Sequence, residues 1–258
     1  MSTQDLSKMG AARVSIETVG GINCVRKEGA SEVEMHFYQS AAPNLVGVNT
    51  PELLKVDGSH LYIEYIPNRI SLMDLRAKSD LFSQLAALHC SEYTPTFAVK
   101  KHEWTAFATE EAFKVLNLSG AVESSIKRIQ SLSAGIFECK DLISGDTNEG
   151  NWGTRDNGDL VLFDWERFGQ GSPAIDLAPL VSGLGSIAEY REIVTQYVKH
   201  NSAFSETELL KDLIIAKCRI VIEVVNILTS RDNPEQEKYI NWYRANISKW
   251  LASVEDAL

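Results

Sequence analysis

At 258 residues, 44% of them hydrophobic and 23% charged, the chain is long enough to bury a sizeable core as one large domain or two lobes. A formal charge of −10 speaks against a nucleic-acid partner, whose phosphates call for a basic surface; it is compatible with a cationic small molecule, or simply with an acidic solvated surface. No apolar run approaches the roughly 20 residues that span a bilayer, Met1-Ser2-Thr3-Gln4-Asp5 lacks a basic region followed by an apolar core, and Cys24, Cys90, Cys139 and Cys218 form no C-x-x-C pair, so the expectation is a cytoplasmic chain with no membrane partner and reduced thiols in its core.

In chain order, residues 7–12 form a small-residue loop around Gly10, followed by two β-rich runs, 13–19 and 22–27, joined by Gly20-Gly21, a two-residue hairpin signal. Alternation puts Val25 and Lys27 on one face of the second strand and Arg26 on the other. Pro43 and Pro51 bracket a connection. Residues 53–56 and 60–66 then form a second hairpin turning at Asp57-Gly58, and Pro67-Asn68 ends the strand. From residue 69 the pattern turns helical, with Leu72, Leu75, Leu81, Leu85 and Leu88 at helix spacing. Residues 104–133 read as two more helices separated around 117–120.

The most informative stretch follows. An apolar run, Leu142-Ile143, delivers Asp146 onto a short loop, and Asn151 comes five residues later. After a turn on Asp156-Asn157-Gly158-Asp159, a second apolar run, 160–163, ends in Asp164. This is the order in which kinase-like enzymes present a catalytic carboxylate, a metal-binding amide and a metal-binding carboxylate. In-line phosphoryl transfer needs a carboxylate to orient the acceptor hydroxyl and take its proton, which suits Asp146, and hard oxygen ligands for Mg²⁺, which suit Asn151 and Asp164. A plain hairpin with solvent-facing Asp and Asn is the alternative, since both are common in turns. Beyond it, residues 187–199 are amphipathic, and Ser205-Glu206-Thr207-Glu208 is a capping box opening a long apolar helix over 209–228. Pro234 precedes a final helix, 235–251, whose Trp242, Tyr243 and Trp250 read as packing residues or as a cage for a quaternary amine.

Ser144-Gly145-Asp146-Thr147-Asn148-Glu149-Gly150-Asn151 resembles the H-G-D-x-x-x-x-N loop of the aminoglycoside phosphotransferase, choline kinase and fructosamine kinase superfamily. Phe163-Asp164-Trp165-Glu166 resembles its I-D-W-E/D metal motif, and residues 171–178 its G-x-P-x-x-D-L-A segment. Ser144 departs from the pattern, standing where the family carries a loop-bracing His. The resemblance implies an α+β, bilobal, protein-kinase-like fold: a small, trimmed antiparallel-sheet N-terminal lobe over 1–68 that binds nucleotide, and a larger, mainly helical C-terminal lobe over 69–258. It makes Lys27 the phosphate-binding lysine, paired with Glu34, the best match to the family's E-x-x-F/Y-Y helix, with Glu32 as fallback. Gly10 falls in the loop over the phosphates, and Glu64, Tyr65 and Ile66 fall in a connector that contacts adenine through its main chain, with little demand on side-chain identity. His89 is similar to a structural histidine of the L-A-x-L-H helix, and Asp176 to an aspartate that anchors the catalytic loop.

The function so implied is transfer of the γ-phosphoryl group of ATP or GTP, with Mg²⁺, to a hydroxyl of a small molecule such as an amino sugar, an amino alcohol like choline, or a sugar-like metabolite, by a monomer or homodimer. A catalytically weak nucleotide-binding sensor or interaction module is the alternative, motivated by the trimmed N-terminal lobe and Ser144.

Overall fold

The computed structural model describes residues 13–231 and 233–258, so Gly10 lies outside the described residues. The chain divides into two compact units, one built from the chain up to Lys101 together with Asp141–Gln170, the other from His102–Lys140 with Gly171–Leu258.

In the first unit, β1 (Arg13–Val19) and β2 (Ile22–Glu28) join through Gly20 and Gly21, whose φ of +58° and +86° are the left-handed values a tight hairpin turn requires. Among the described residues they form an antiparallel sheet in the order β1-β2-β4-β3 with β3 (Leu53–Asp57) and β4 (His60–Glu64). The second turn sits one residue later than expected: Asp57 pairs with His60, and the turn residues are Gly58, at a left-handed φ of +60°, and Ser59. β4 also stops at Glu64 rather than Ile66. Pro67 has no N–H for a ladder, and the next paired residues, β5 (Asn68–Arg69), join β7 in a different sheet.

Between the hairpins, α1 (Glu32–His36) is capped by Ser31 and runs on into a π-helical turn, Phe37–Ala41. α2 (Leu72–Ala77) and α3 (Leu81–His89) bury Leu75, Leu81, Leu85 and Leu88, four of the five positions the helical spacing singled out; Leu72, the first residue of α2, is half-buried. β6 (Leu142–Ile143) pairs with β9 (Gly169–Gln170), and β7 (Trp152–Thr154) with β8 (Leu160–Leu162) through a turn that needs Gly158 at φ +93°. Polar side chains pin this hairpin. Asn49 Nδ2 and buried Gln84 Nε2 both donate to Leu160 O, at 3.0 and 3.1 Å, and Leu162 N–H donates to Asn49 O at 3.1 Å.

The second unit is helical: α4 (Ala106–Leu116), α5 (Gly120–Ser131), α6 (Ala134–Glu138), α7 (Ala174–Leu177), α8 (Ile187–Val198), α9 (Glu206–Ser230) and α10 (Gln236–Val254). Ser205 caps α9, with the Glu208 carboxylate on the serine hydroxyl. Ser205 Oγ accepts Glu208 N–H at 3.2 Å and donates to Glu208 Oε2 at 2.6 Å. From that start α9 buries residues around most of its circumference, Leu209, Leu213, Ile214, Val221 and Val225 among them, as a helix does when neighbours surround it. α4, α7, α8 and α10 pack on it. α10 returns to cap α4: Arg244 Nε and Nη2 donate to Leu116 O and Val115 O at 2.8 and 2.6 Å, carbonyls left without helical partners. Trp250 of α10 is buried while Trp242 is 42% exposed, so these two rings face different surroundings. No helix among the described residues is long and apolar enough to cross a membrane. Only Cys24 and Cys218 of the four cysteines are in the core; Cys139 is half-buried and Cys90 exposed, each just past a helix C-terminus.

Candidate active site

The site is assembled within the first unit, starting from strand register. In β2, Lys27 stands opposite Val14 on one side and Leu61 on the other, a position that buries it, while its neighbour Arg26 turns the other way to meet Glu17 and Glu28 at 3.0 Å each. Lys27 Nζ lies 2.5 Å from Glu34 Oε1 and 2.6 Å from Asp164 Oδ1. Burial works against its charge, but the two carboxylates outweigh burial and hold the ammonium above its ordinary range.

Glu34 reaches Lys27 by giving up a different role. Ser31 caps α1 by accepting Glu34 N–H at 3.1 Å, and a glutamate three residues past such a cap normally folds back onto it. Here its side chain is 1% exposed and turned to the lysine. Glu32, the fallback partner, is exposed.

The loop after β6 makes its own scaffold. Gly145, at φ +78°, provides the reversal before Asp146. Asp146 Oδ1 accepts from Asn148 Nδ2 at 2.6 Å. Asn148 Oδ1 in turn accepts Gly150 N–H at 2.8 Å, and a Cβ at Gly150 would meet that same oxygen at 2.8 Å. Asn151 Nδ2 donates to the main-chain carbonyl of Asp146 at 2.9 Å, which leaves Asn151 Oδ1 as the atom available to a metal. Trp152 Nε1 holds Thr147 O at 3.1 Å from below. Ser144 and Thr147 are fully buried, so the loop's base is packed and its Asp146 tip is half-buried.

Asp164 lies two residues beyond β8. Its φ of +67° is a left-handed value that few residues other than Gly, Asn and Asp adopt. The strain is contained by its neighbours: Phe163 N–H donates to Asn151 O at 2.9 Å, Trp165 Nε1 donates to Leu162 O at 3.0 Å, and the Trp165 ring stacks on Phe37 at 4.0 Å. Phe37 follows Glu34 by one turn, so the same stack ties the glutamate's helix to the aspartate's segment.

Sequence reasoning gave Glu166 no role, yet it belongs to this electrostatic group. Burial raises its pKa and Asp164 raises it further, with Lys27 opposing and Asp146 adding to the rise. The signal was the acidic position two residues after Asp164. Of the connector residues, Glu64 ends β4 with its N–H donated to Glu52 O at 2.8 Å, while Tyr65 and Ile66 lie beyond the strand. His89 is buried at the end of α3, and Asp176 is buried in α7 of the second unit.

Among the described residues no group of three His, Cys, Asp or Glu side chains converges as a metal cage. The donors present fit Mg²⁺ nonetheless, because this ion is commonly held by one or two carboxylates together with substrate phosphates. Asp164, 31% exposed at its side chain, and the Asn151 amide oxygen are such a set.

Neither a family model nor a curated protein matches the chain. Solved structures do. A choline/ethanolamine kinase family protein from Mesorhizobium loti superimposes with a TM-score of 0.67 at 17% identity, covering 98% of this chain and 92% of that one. The choline kinase LicA from Streptococcus pneumoniae gives 0.66 at 17%, covering 98% and 94%. The aminoglycoside phosphotransferase APH(4)-Ia, in a ternary complex with AMP-PNP and hygromycin B, gives 0.63 at 14%, covering 98% and 94%. The chain therefore has the protein-kinase-like fold of these phosphotransferases, with a small antiparallel sheet toward the N-terminus and a larger helical part toward the C-terminus, as the sequence motifs led one to expect.

Proposed function

We propose that the protein is a small-molecule kinase, moving the γ-phosphoryl group of ATP or GTP to a hydroxyl of a small acceptor. The observation that carries this reading is the charged chain Glu34–Lys27–Asp164, formed in the same unit as a loop on which Asn151 is bonded to the backbone of Asp146. Residues 1–68 supply Lys27, Glu34 and the 64–66 connector and act as the nucleotide-binding lobe; residues 69–258 supply the loop and the acceptor side.

In the proposed reaction Asp146 orients the acceptor hydroxyl and takes its proton as the new O–P bond forms and the bond to the β-phosphate oxygen breaks. Lys27, kept charged by Glu34 and Asp164, stabilises the phosphates. Asn151 and Asp164 would hold Mg²⁺, which supplies positive charge against the β- and γ-phosphoryl oxygens. The net charge of −10 and the carboxylates Asp146 and Glu166 favour a cationic acceptor, such as an amino alcohol or amino sugar, and the named substrates of the structural neighbours, choline, ethanolamine and aminoglycosides, fall in that class.

Nucleotide turnover with Mg²⁺, measured across amino alcohols, sugars and aminoglycosides, tests this reading. Acceptor-dependent release of ADP or GDP is the expected result. Nucleotide binding with no turnover on any acceptor would instead identify a non-catalytic nucleotide-binding protein. Asp164→Ala removes a charged metal ligand, so the rise in melting temperature given by nucleotide plus Mg²⁺ should shrink; a rise equal to the parent's would place the metal elsewhere.

A further inference from the structure

Glu64 opens the connector proposed to meet the nucleobase, and its side chain is already committed. Arg155, just past β7, forks onto it: Nε to Oε1 and Nη2 to Oε2, both at 2.7 Å, with Nη2 also donating to Thr50 O at 3.0 Å. Glu64 Oε2 further accepts Glu52 N–H at 3.1 Å. Burial opposes the charge on Glu64, yet the hydrogen bonds from Arg155 and Glu52 hold its carboxyl below the usual range. A two-pronged guanidinium contact fixes direction as well as distance, which a single hydrogen bond cannot do.

The surrounding backbone gives that direction a consequence. β5 pairs with β7, Asn68 opposite Thr154 and Arg69 opposite Gly153. A Cβ at Gly153 would lie 2.8 Å from both Ile66 Cγ2 and Asn68 O, so β7 runs hard against the end of the connector. Asn151 precedes β7 and Asp164 follows β8 of the same hairpin. One short piece of structure therefore touches the base-contacting stretch at one end and carries the metal-binding side chains at the other.

We propose that Arg155 is a positioning residue for the nucleotide: through Glu64 it sets the 64–66 connector relative to the β7–β8 hairpin, so that the base and the phosphates of one nucleotide reach their contacts together. This rests on the kinase reading above. The β5–β7 pairing and Gly153 set the spacing; the fork sets the angle at which Glu64 hands the chain to Tyr65 and Ile66.

Calorimetry on the full chain, with Mg²⁺-ATP, Mg²⁺-GTP, adenosine and Mg²⁺-tripolyphosphate as probes, tests the proposal in the parent, Arg155→Lys and Arg155→Met. Arg155→Met should weaken the preferred nucleotide by about tenfold or more and Arg155→Lys by less, whereas adenosine, which meets only the connector, should lose less than ATP does. Tripolyphosphate, which has no base, should bind all three alike. Nucleotide affinity unchanged in Arg155→Met, or lost in step with tripolyphosphate, overturns the proposal: the first makes the pair idle, the second makes it a general support of the fold. Melting temperatures identify a variant that fails to fold; Glu64→Gln, which keeps the side chain's shape and weakens the fork, then replaces Arg155→Met under the same criteria. A parent that binds neither ATP nor GTP removes the kinase reading and the inference with it, a result distinct from a parent that binds nucleotide and variants that bind it equally.

Discussion

Lys27 meets Glu34 and Asp164, Arg155 forks onto Glu64, and Asn49 and Gln84 hold Leu160: in the first unit, the geometry that matters is set by polar side chains reaching across sequence. In the second unit α9 is held by Leu209, Leu213, Ile214, Val221 and Val225, with Lys217 as a buried charge among them. Hydrogen bonds and ion pairs fix direction, which the proposed phosphoryl transfer would require; apolar burial is non-directional and fixes shape. The two regions should therefore fail differently when single side chains are removed.

The largest effect should come from the group proposed for the chemistry. Asp146→Asn keeps an oxygen able to accept from Asn148, so the loop should persist, but it removes the base, and turnover should fall by about 10²-fold or more with nucleotide affinity nearly intact. Turnover near the parent's, with kcat and affinity measured on the same preparation, would take Asp146 out of this role.

Stability comes next and separates the two regions directly. Lys27→Met strands a buried Glu34 carboxylate beside Asp164, at about 3–5 kcal/mol by denaturant unfolding, and adding Glu34→Gln should recover part of the loss because the stranded charge goes with it. Leu213→Ala should cost a comparable, on average smaller, 2–5 kcal/mol, roughly, through the cavity it leaves, and no second change of charge should recover it. Failure of the double variant to regain stability would mean that the Lys27 site is held by packing like the rest.

The same division decides what could be read from sequence. Gly20-Gly21 and the Ser205 cap are local signals, in which the residues involved lie within a few positions of one another, and the structure forms both; the Asn151 contact to the Asp146 backbone is local in the same way. Arg155 and Glu64 are 91 residues apart, and no period or turn preference links them. The connector was expected to demand little of its side chains, and the fork onto Glu64 became visible only when both strands were in place. Asn49 and Gln84 were missed for the same reason. The π-helical turn at 37–41 interrupts a helix whose apolar spacing gives no warning, and the left-handed Asp164, a conformation Asp tolerates better than most residues, is held by contacts of its neighbours with Asn151 O, Leu162 O and the Phe37 ring.

The smallest effect belongs to Lys217, whose ammonium is buried in α9 and donates to Ala178 O and Val181 O at 3.2 and 2.8 Å. Burial pulls its pKa down from 10.5 to about 8, with Glu189 opposing weakly. Between about pH 8 and 10.5 the unfolded chain thus holds a proton on Lys217 that the folded chain has released, so this group makes stability rise with pH across that window and makes its full unfavourable contribution below it. Tyr190 and Cys218 act in the opposite sense, because burial raises both and the unfolded chain loses their protons first. The parent's own curve mixes these trends, whereas the difference between parent and Lys217→Met isolates one. Moving from pH 8 to pH 10, that difference should shift in the parent's favour by on the order of 1–2 kcal/mol. A difference that stays flat with pH would show that Lys217 titrates normally, reached by water, and that the helical unit is less dry around α9 than its apolar composition implies.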